Sequence, residues 1–223
     1  MPRVLAFDVN ETLLDLRVLD PLFERAFGDG AMRGQWFAQM LQLAFVGGLT
    51  GRYVSFTEAQ AAALDMLARR TGTQLPEGFG DEVAATMRRL PAHLDVPAAL
   101  DRLREAGFRL VALTNSTADV ERDQLANAGI ADRFEHALSA DDAGRLKPAP
   151  EPYRMVAERT GVELEDVRLV AAHAWDVAGA LAAGCAAAFV ARPGMVTSPL
   201  GPQPDVVGAD LGEVAEAIIA ADG

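Results

Sequence analysis

Cysteine occurs once among the 223 residues, as Cys185, so no internal disulfide can form and no cysteine-rich zinc site can be built. It lies in Ala-Ala-Gly-Cys-Ala-Ala-Ala-Phe-Val, a turn leading into a buried strand. No base or cation stands beside it to favour a thiolate, so it reads as packing. Positive charge is also scarce: Lys plus Arg number 20 against 32 Asp plus Glu, a formal net charge of −12. Nucleic acid and anionic membrane surfaces are poor partners for such a chain. A small anionic substrate stays compatible where a few local cations override the general field. Long apolar runs are missing too. The first one, over residues 4–7, meets Asp8 after four positions; that is too short for the core of a signal peptide, and no run approaches membrane-spanning length. A cytoplasmic protein with no membrane partner is therefore expected. Internal repeats and low-complexity segments are absent as well.

What the chain does have is apolar content, 50% of its residues, enough for a full-sized core. Short apolar runs at 4–7, 108–113, 167–172 and 186–190, with a weaker one at 134–138, are each followed by polar or Gly-containing turns. Runs without alternation suit strands buried on both faces of a parallel sheet. Helical patterns separate them. Asp95-Val96-Pro97 opens one, as a cap followed by a Pro in the first turn, with Leu100, Leu103 and Ala106 at helical spacing. Ser116 or Thr117 opens another, ended by Gly129, and residues 210–221 form the last. The alternation predicts an α/β fold with a doubly wound parallel-sheet core. Residues 16–90 break the rhythm, with helical periodicity and no convincing strand. The expected organisation is a core from 1–15 and 91–223, and a helical cap domain of 16–90 inserted after the first strand.

Chemistry-bearing residues follow the strands. Asp8, directly after the first run, places a carboxylate at the C-terminal edge of the sheet, with Thr12 four residues on to hydrogen-bond to it. Leu113-Thr114-Asn115-Ser116 ends the second run with side-chain donors. Arg145-Leu146-Lys147-Pro148 fixes a lysine ahead of a proline-stiffened loop, with Tyr153 six residues on. Ala172-His173-Ala174-Trp175-Asp176 ends a later run with His and Asp. Asp8, Thr114, Lys147 and Asp176 are thus expected to gather along one sheet edge.

These four segments, in this order, resemble the haloacid dehalogenase (HAD) superfamily over nearly the whole chain. The resemblance implies a Rossmann-like core, Asp8 as covalent nucleophile, Thr114 as the hydroxyl of the second motif, Lys147 as the lysine of the third and Asp176 as the acid of the fourth. Two positions separate its branches. The superfamily's phosphatases resemble Asp-x-Asp at the first motif, with the second Asp as general acid; here Asn10 cannot donate and recover a proton. Ala172 stands where those enzymes carry a Mg²⁺ ligand, and a hard cation loses an oxygen there. Both losses fit the 2-haloacid dehalogenase branch, because halide leaves as an anion and needs neither metal nor proton. Ala174-Trp175-Asp176 and Lys147-Pro148 with Tyr153 are similar to that branch.

That branch implies a haloacid substrate, no cofactor, a homodimer and a double displacement through an aspartyl ester, with inversion at the α-carbon. Asp8, Thr12, Lys147, Asp176 and His173 are the expected catalytic residues. Asn10, Thr114, Asn115, Tyr153, Trp36, Phe37 and Trp175 are expected around the substrate. Trp36, Phe37 and Met40 wall an apolar halide pocket or simply form helical core. The branch commonly carries a cap arginine where this chain has Phe37, leaving Arg17, Arg33 and Arg52 as replacements. Its fourth motif commonly carries a hydroxyl and an Asn where Ala171 and His173 stand. His173 either serves the hydrolytic step or is a neutral histidine bonded within its loop. Glu11, at a position commonly Gly, adds negative charge that needs a partner. A phosphate-ester hydrolase of the same fold and a binding protein without activity are the other readings.

Overall fold

The computed structural model describes residues 4–223; Met1, Pro2 and Arg3, which open the expected core segment, lie outside it. Six strands, β1 (Val4–Phe7), β2 (Arg109–Thr114), β3 (His136–Ser139), β4 (Val167–Ala171), β5 (Ala186–Val190) and β6 (Val206–Gly208), form one sheet in the order β3-β2-β1-β4-β5-β6. Every neighbouring pair is parallel. The chain winds outward from β1 to one side, then returns to β4 and winds to the other. Strand order reverses between β1 and β4, the crevice where doubly wound sheets hold ligands.

Alternate strand residues feed the two faces, as the pleat requires. Val4, Ala6, Val111, Leu113, Leu169 and Phe189 pack against α7 (Pro150–Thr160) and α8 (Ala174–Ala183). Leu5, Phe7, Leu110, Ala112, Val170 and Ala188 pack on the other face, with α5 (Val96–Glu105) and α9 (Leu211–Asp222). α6 (Ala118–Asn127) completes the core helices.

Between β1 and α5 the chain is helical: α1 (Asp20–Phe27), α2 (Met32–Thr50), α3 (Phe56–Thr71) and α4 (Phe79–Met87). Ser55 and Glu58 close a capping box at the start of α3, satisfying two otherwise orphaned backbone N–H groups. The aromatic interior of this layer, Phe23, Trp36, Phe37, Phe56 and Phe79, continues without a break through Leu13, Leu14 and Val9 into the sheet face at Phe7.

Three observations differ from the sequence pattern. β6 was not expected; it is a three-residue edge strand whose middle residue, Val207, is half exposed. Asp95 does not cap α5 with its side chain. Its carboxylate instead receives Arg192 Nη1 at 2.8 Å on both oxygens and the Leu211 N–H of α9 at 2.7 Å. At α6 the N-cap is Thr117, one of the two residues expected to open it, but its hydroxyl makes no capping bond.

Candidate active site

Asp8 leaves β1 with its N–H donating to Val170 O at 3.0 Å, so the sheet ladder itself fixes its backbone. The next residues turn tightly, Leu13 and Leu14 N–H both reaching Val9 O. Glu11 takes the left-handed conformation within this turn, φ 62°. The turn folds Thr12 back onto Asp8. Ala172 N–H donates to Thr12 Oγ1 at 2.9 Å, which orients the hydroxyl proton towards Asp8 Oδ2 at 2.6 Å.

Lys147 is buried, and its three ammonium protons have three acceptors: Asp8 Oδ1 at 2.9 Å, Asp176 Oδ2 at 2.6 Å and Leu113 O at 2.9 Å. Asn115 holds the lysine from behind, accepting from Lys147 N–H at 2.8 Å and donating to its carbonyl at 3.1 Å. Tyr153 donates to Asp176 Oδ1 at 2.5 Å. The ring of Trp175 lies 5.9 Å from Lys147 Nζ. His173 Nδ1 is 3.0 Å from Asp8 Oδ2 and its Nε2 is 2.9 Å from Glu11 Oε2. The imidazole stacks with Phe37 (ring centroids 5.9 Å apart) and with Trp175 (5.2 Å).

The electrostatics follow from burial set against pairing. Burial raises the pKa of Asp8, but Lys147, His173 and Thr12 outweigh it and hold the carboxyl below its ordinary range. Burial works against the charged Lys147, and the charges of Asp176 and Asp8 more than compensate. Asp176 moves the other way: its burial dominates the attraction of Lys147, with the negative charge of Asp8 adding to the rise. Burial alone would lower His173, but its bonds to Asp8 and Glu11 push it up to about 9. The imidazole is therefore a cation at neutral pH, not the neutral histidine bonded within its loop that the sequence offered as one of its two roles.

Asp8, Thr12, Lys147, Asp176, His173, Tyr153, Phe37 and Trp175 thus come together. Four expected substrate residues have their side chains engaged elsewhere. Trp36 lies in the helical core with its indole N–H on Gln60 O. Asn115 is bonded to the Lys147 backbone. Asn10 Nδ2 donates to Ser116 Oγ at 3.1 Å while its oxygen accepts from Gln124 at 3.0 Å, which ties the turn after β1 to α6. Thr114 Oγ1 accepts from Ser116 N–H. Of the candidate cap arginines, Arg17 is paired with Asp15 and Arg52 is exposed. Arg33 reaches the cluster by donating to Glu11 Oε1 at 3.0 Å. Glu11 therefore has the partners its charge demands.

Gly179 is a residue that the sequence pattern does not single out. A Cβ there would meet Pro148 Cβ at 2.5 Å and Tyr153 Oη at 2.7 Å, so α8 must be bare where the lysine loop crosses it. Beside the cluster, a cavity of about 510 Å³ opens between the end of α2 (Ala44, Phe45, Gly47) and residues 144–150, with Lys147 in its wall.

The donor set does not suit a divalent cation. Asp8 and Asp176 are both bonded to Lys147, position 172 offers no oxygen beyond its backbone, and among the described residues no three His, Cys, Asp or Glu side chains are arranged to hold a metal ion.

A carboxylate at the strand-order reversal, ionised by a buried lysine and roofed by helices inserted after β1, defines a class. The family model for haloacid dehalogenase-like hydrolases matches residues 2–184, and the chain belongs to that family. Within it, the chain is similar to haloacetate dehalogenase H-2 of Moraxella sp. (strain B), at 32% identity over 91% of this chain and 92% of that one. It is similar to the (S)-2-haloacid dehalogenase of Pseudomonas sp. (strain YL), at 29% over 90% of this chain and 88% of the other. The structure of L-2-haloacid dehalogenase from Xanthobacter autotrophicus with chloropropionic acid covalently bound covers 100% of both chains at a TM-score of 0.91 and 27% identity.

Proposed function

We propose that this chain hydrolyses the carbon–halogen bond of short 2-haloalkanoic acids, giving 2-hydroxy acids without a metal. The observation that carries this reading is an ionised Asp8 without a carboxylic acid two residues on to protonate a leaving group, since position 10 is an amide engaged with Ser116 and Gln124. A leaving group that departs as an anion needs none.

Asp8 Oδ2 already accepts two hydrogen bonds and Oδ1 only the one from Lys147, so Oδ1 is the freer nucleophile. Its attack on the α-carbon forms a C–O bond as the C–halogen bond breaks, and the halide leaves with the electron pair. The α-carbon inverts. Water then adds to Cγ of Asp8, the alkoxide of the hydroxy acid leaves and takes back the proton first removed from the water, and the second water proton, left on the Asp8 carboxyl, is released to solvent to restore the carboxylate. Asp176, whose proton affinity is raised by burial, is the group that takes the first proton from the water; a protonated His173 cannot. Lys147 and His173 supply the cations for an anionic substrate in an otherwise acidic chain.

We assign residues 16–90 as a cap domain closing over this chemistry, and expect the enzyme to work in the cytoplasm as a homodimer, a state that analytical ultracentrifugation reads directly. Activity is tested by halide release from chloroacetate and from each enantiomer of 2-chloropropionate in excess EDTA, beside Asp8→Asn. Release from the (S) enantiomer that survives EDTA and vanishes in the variant is expected. Release that requires Mg²⁺, or none at all, would overturn the reading.

A further inference from the structure

Glu11 combines three features that a surface loop residue would not. Its backbone is left-handed at φ 62°, a conformation natural to glycine and strained for a residue with a long side chain. Its carboxylate is largely buried and bridges two groups, Arg33 Nη1 at 3.0 Å and His173 Nε2 at 2.9 Å. Its own carbonyl faces His93 Nε2 at 3.2 Å. The strain is maintained in a turn where glycine would relieve it, so the side chain must contribute something that glycine cannot.

The contribution is legible in the hydrogen bonds. A carboxylate only accepts. His173 places one ring nitrogen on Asp8 Oδ2 and the other on Glu11 Oε2, so both nitrogens must carry protons. The charged groups facing this ring are Asp8 and Glu11 directly, Lys147 and Asp176 beyond Asp8, and Arg33 beyond Glu11. Removing Glu11 would leave Nε2 without its acceptor in a largely buried site, and the neutral ring would become the better solution.

We propose that Glu11 is a positioning residue, holding His173 as a doubly donating imidazolium so that His173 Nδ1 and Thr12 Oγ1 form the oxyanion hole for hydrolysis of the aspartyl ester. Once Asp8 Oδ1 is alkylated, Oδ2 is the carbonyl oxygen. When water adds to Cγ, the electron pair of that carbonyl moves onto Oδ2, where Thr12 and the imidazolium already point. Collapse returns the pair to the carbonyl as the Cγ–Oδ1 bond breaks. Phe37 belongs to the same arrangement. The cation expected on the cap in this branch stands here on the core loop, as His173, and a ring at position 37 stacks on it where an arginine would repel it. The inference rests on the dehalogenase reading for its chemistry, though not for the charge state.

The test follows the imidazole of the resting enzyme by ¹⁵N NMR against pH, with His173→Asn identifying its signals, and in parallel the pH dependence of kcat on (S)-2-chloropropionate. In the wild type the imidazolium is expected to persist through pH 8. In Glu11→Gln its midpoint and the alkaline limb of kcat should both fall by about one pH unit or more, and rapid-quench mass spectrometry should find the ester accumulating on Asp8. Glu11→Gly should show the same kinetic defect with equal or greater stability, because it relieves the backbone strain. A midpoint and alkaline limb that stay put in Glu11→Gln, or a Glu11→Gly protein that loses stability and keeps full kcat, would overturn the proposal. If the wild type releases no halide, the dehalogenase reading fails and the ester step with it. The titration still decides whether Glu11 holds the imidazolium.

Discussion

Replacing Gly179 by alanine sets two effects of known size against each other. Within a helix, Gly→Ala gains roughly 1 kcal/mol from backbone entropy and propensity. At position 179 the new methyl group meets Pro148 Cβ at 2.5 Å, Tyr153 Oη at 2.7 Å and Pro148 O at 2.9 Å. Carbon atoms prefer about 3.5–4.0 Å, so the lysine loop must retreat by about 1 Å. Overpacking of a tight interior costs roughly 1–3 kcal/mol, and three simultaneous short contacts put this site in the upper part of that range. A net loss of about 1–2 kcal/mol is expected in urea unfolding. The catalytic effect should be larger than the stability effect. The atoms displaced belong to the loop that presents Lys147 and to the hydroxyl that holds Asp176, and a misplacement near 1 Å costs on the order of 10²-fold in rate. Gly34, exposed in the first part of α2 with nothing within 4 Å of its virtual Cβ, is the control; Gly34→Ala should gain up to about 1 kcal/mol. If Gly179→Ala proves as stable as Gly34→Ala and keeps full halide release, the close approach of α8 and the lysine loop is not what positions the site.

Three further outcomes follow from the buried charges. Lys147→Met strips the cation from between Asp8 and Asp176 and should destabilise by roughly 3–5 kcal/mol, with no turnover; a variant within 1 kcal/mol of wild type would show that the pairing does not hold the loop. His173 is raised from 6.5 to about 9 by its two carboxylates, so its stabilisation is complete below pH 6.5 and is lost as pH rises through 9. The loss is on the order of 3 kcal/mol, and melting curves across that window should flatten in His173→Asn. Glu121 is buried on α6 with one oxygen unpartnered, and burial pushes its carboxyl up to about 8. The folded state keeps the proton that the unfolded chain releases above about pH 4.5, so Glu121 lowers stability progressively from there to pH 8. Glu121→Gln should be more stable than wild type at pH 8 and little different at pH 4.5, and equal melting temperatures at pH 8 would refute the assignment.

The parallel sheet was legible because strands buried on both faces write themselves as unbroken apolar runs, and Asp8, Lys147 and Asp176 because a catalytic residue at a strand end stands directly after such a run. β6 was not, since three residues beside a Pro- and Gly-rich stretch leave too short a pattern. Asp95 looked like a local cap, and its carboxylate instead serves Arg192 and Leu211, about a hundred residues away in sequence. Gly179 could not be told from its alanine neighbours, because which small residue lies under Pro148 depends on the angle at which loop and helix cross. The charge of His173 was hidden for a similar reason. It depends on Glu11, and the direction of that side chain is fixed by a left-handed φ that composition does not announce for a glutamate.

The features least favourable for folding fall in one place. A glutamate at positive φ, a lysine with no exposure of its ammonium end, two buried carboxylates and a bare helix position all belong to one connected set of contacts that includes Asp8. Elsewhere, the buried Glu121 apart, the sequence obeys local rules, with a capping box on α3 and unbroken apolar strands. Departures clustered in this way mark function, because strain and buried charge persist only where the surroundings over-determine them. The sum of charges there gives the reason. Asp8, Glu11 and Asp176 are balanced by Lys147, His173 and Arg33, and the one further carboxylate, Asp20 on the outer side of Arg33, is partly exposed to solvent, so the buried cluster is neutral inside a chain of net charge −12. Deprotonating His173 would leave the site negative and hostile to a carboxylate substrate. Glu11 therefore works against its own sign: by keeping the imidazole charged, a third carboxylate makes the site able to receive an anion.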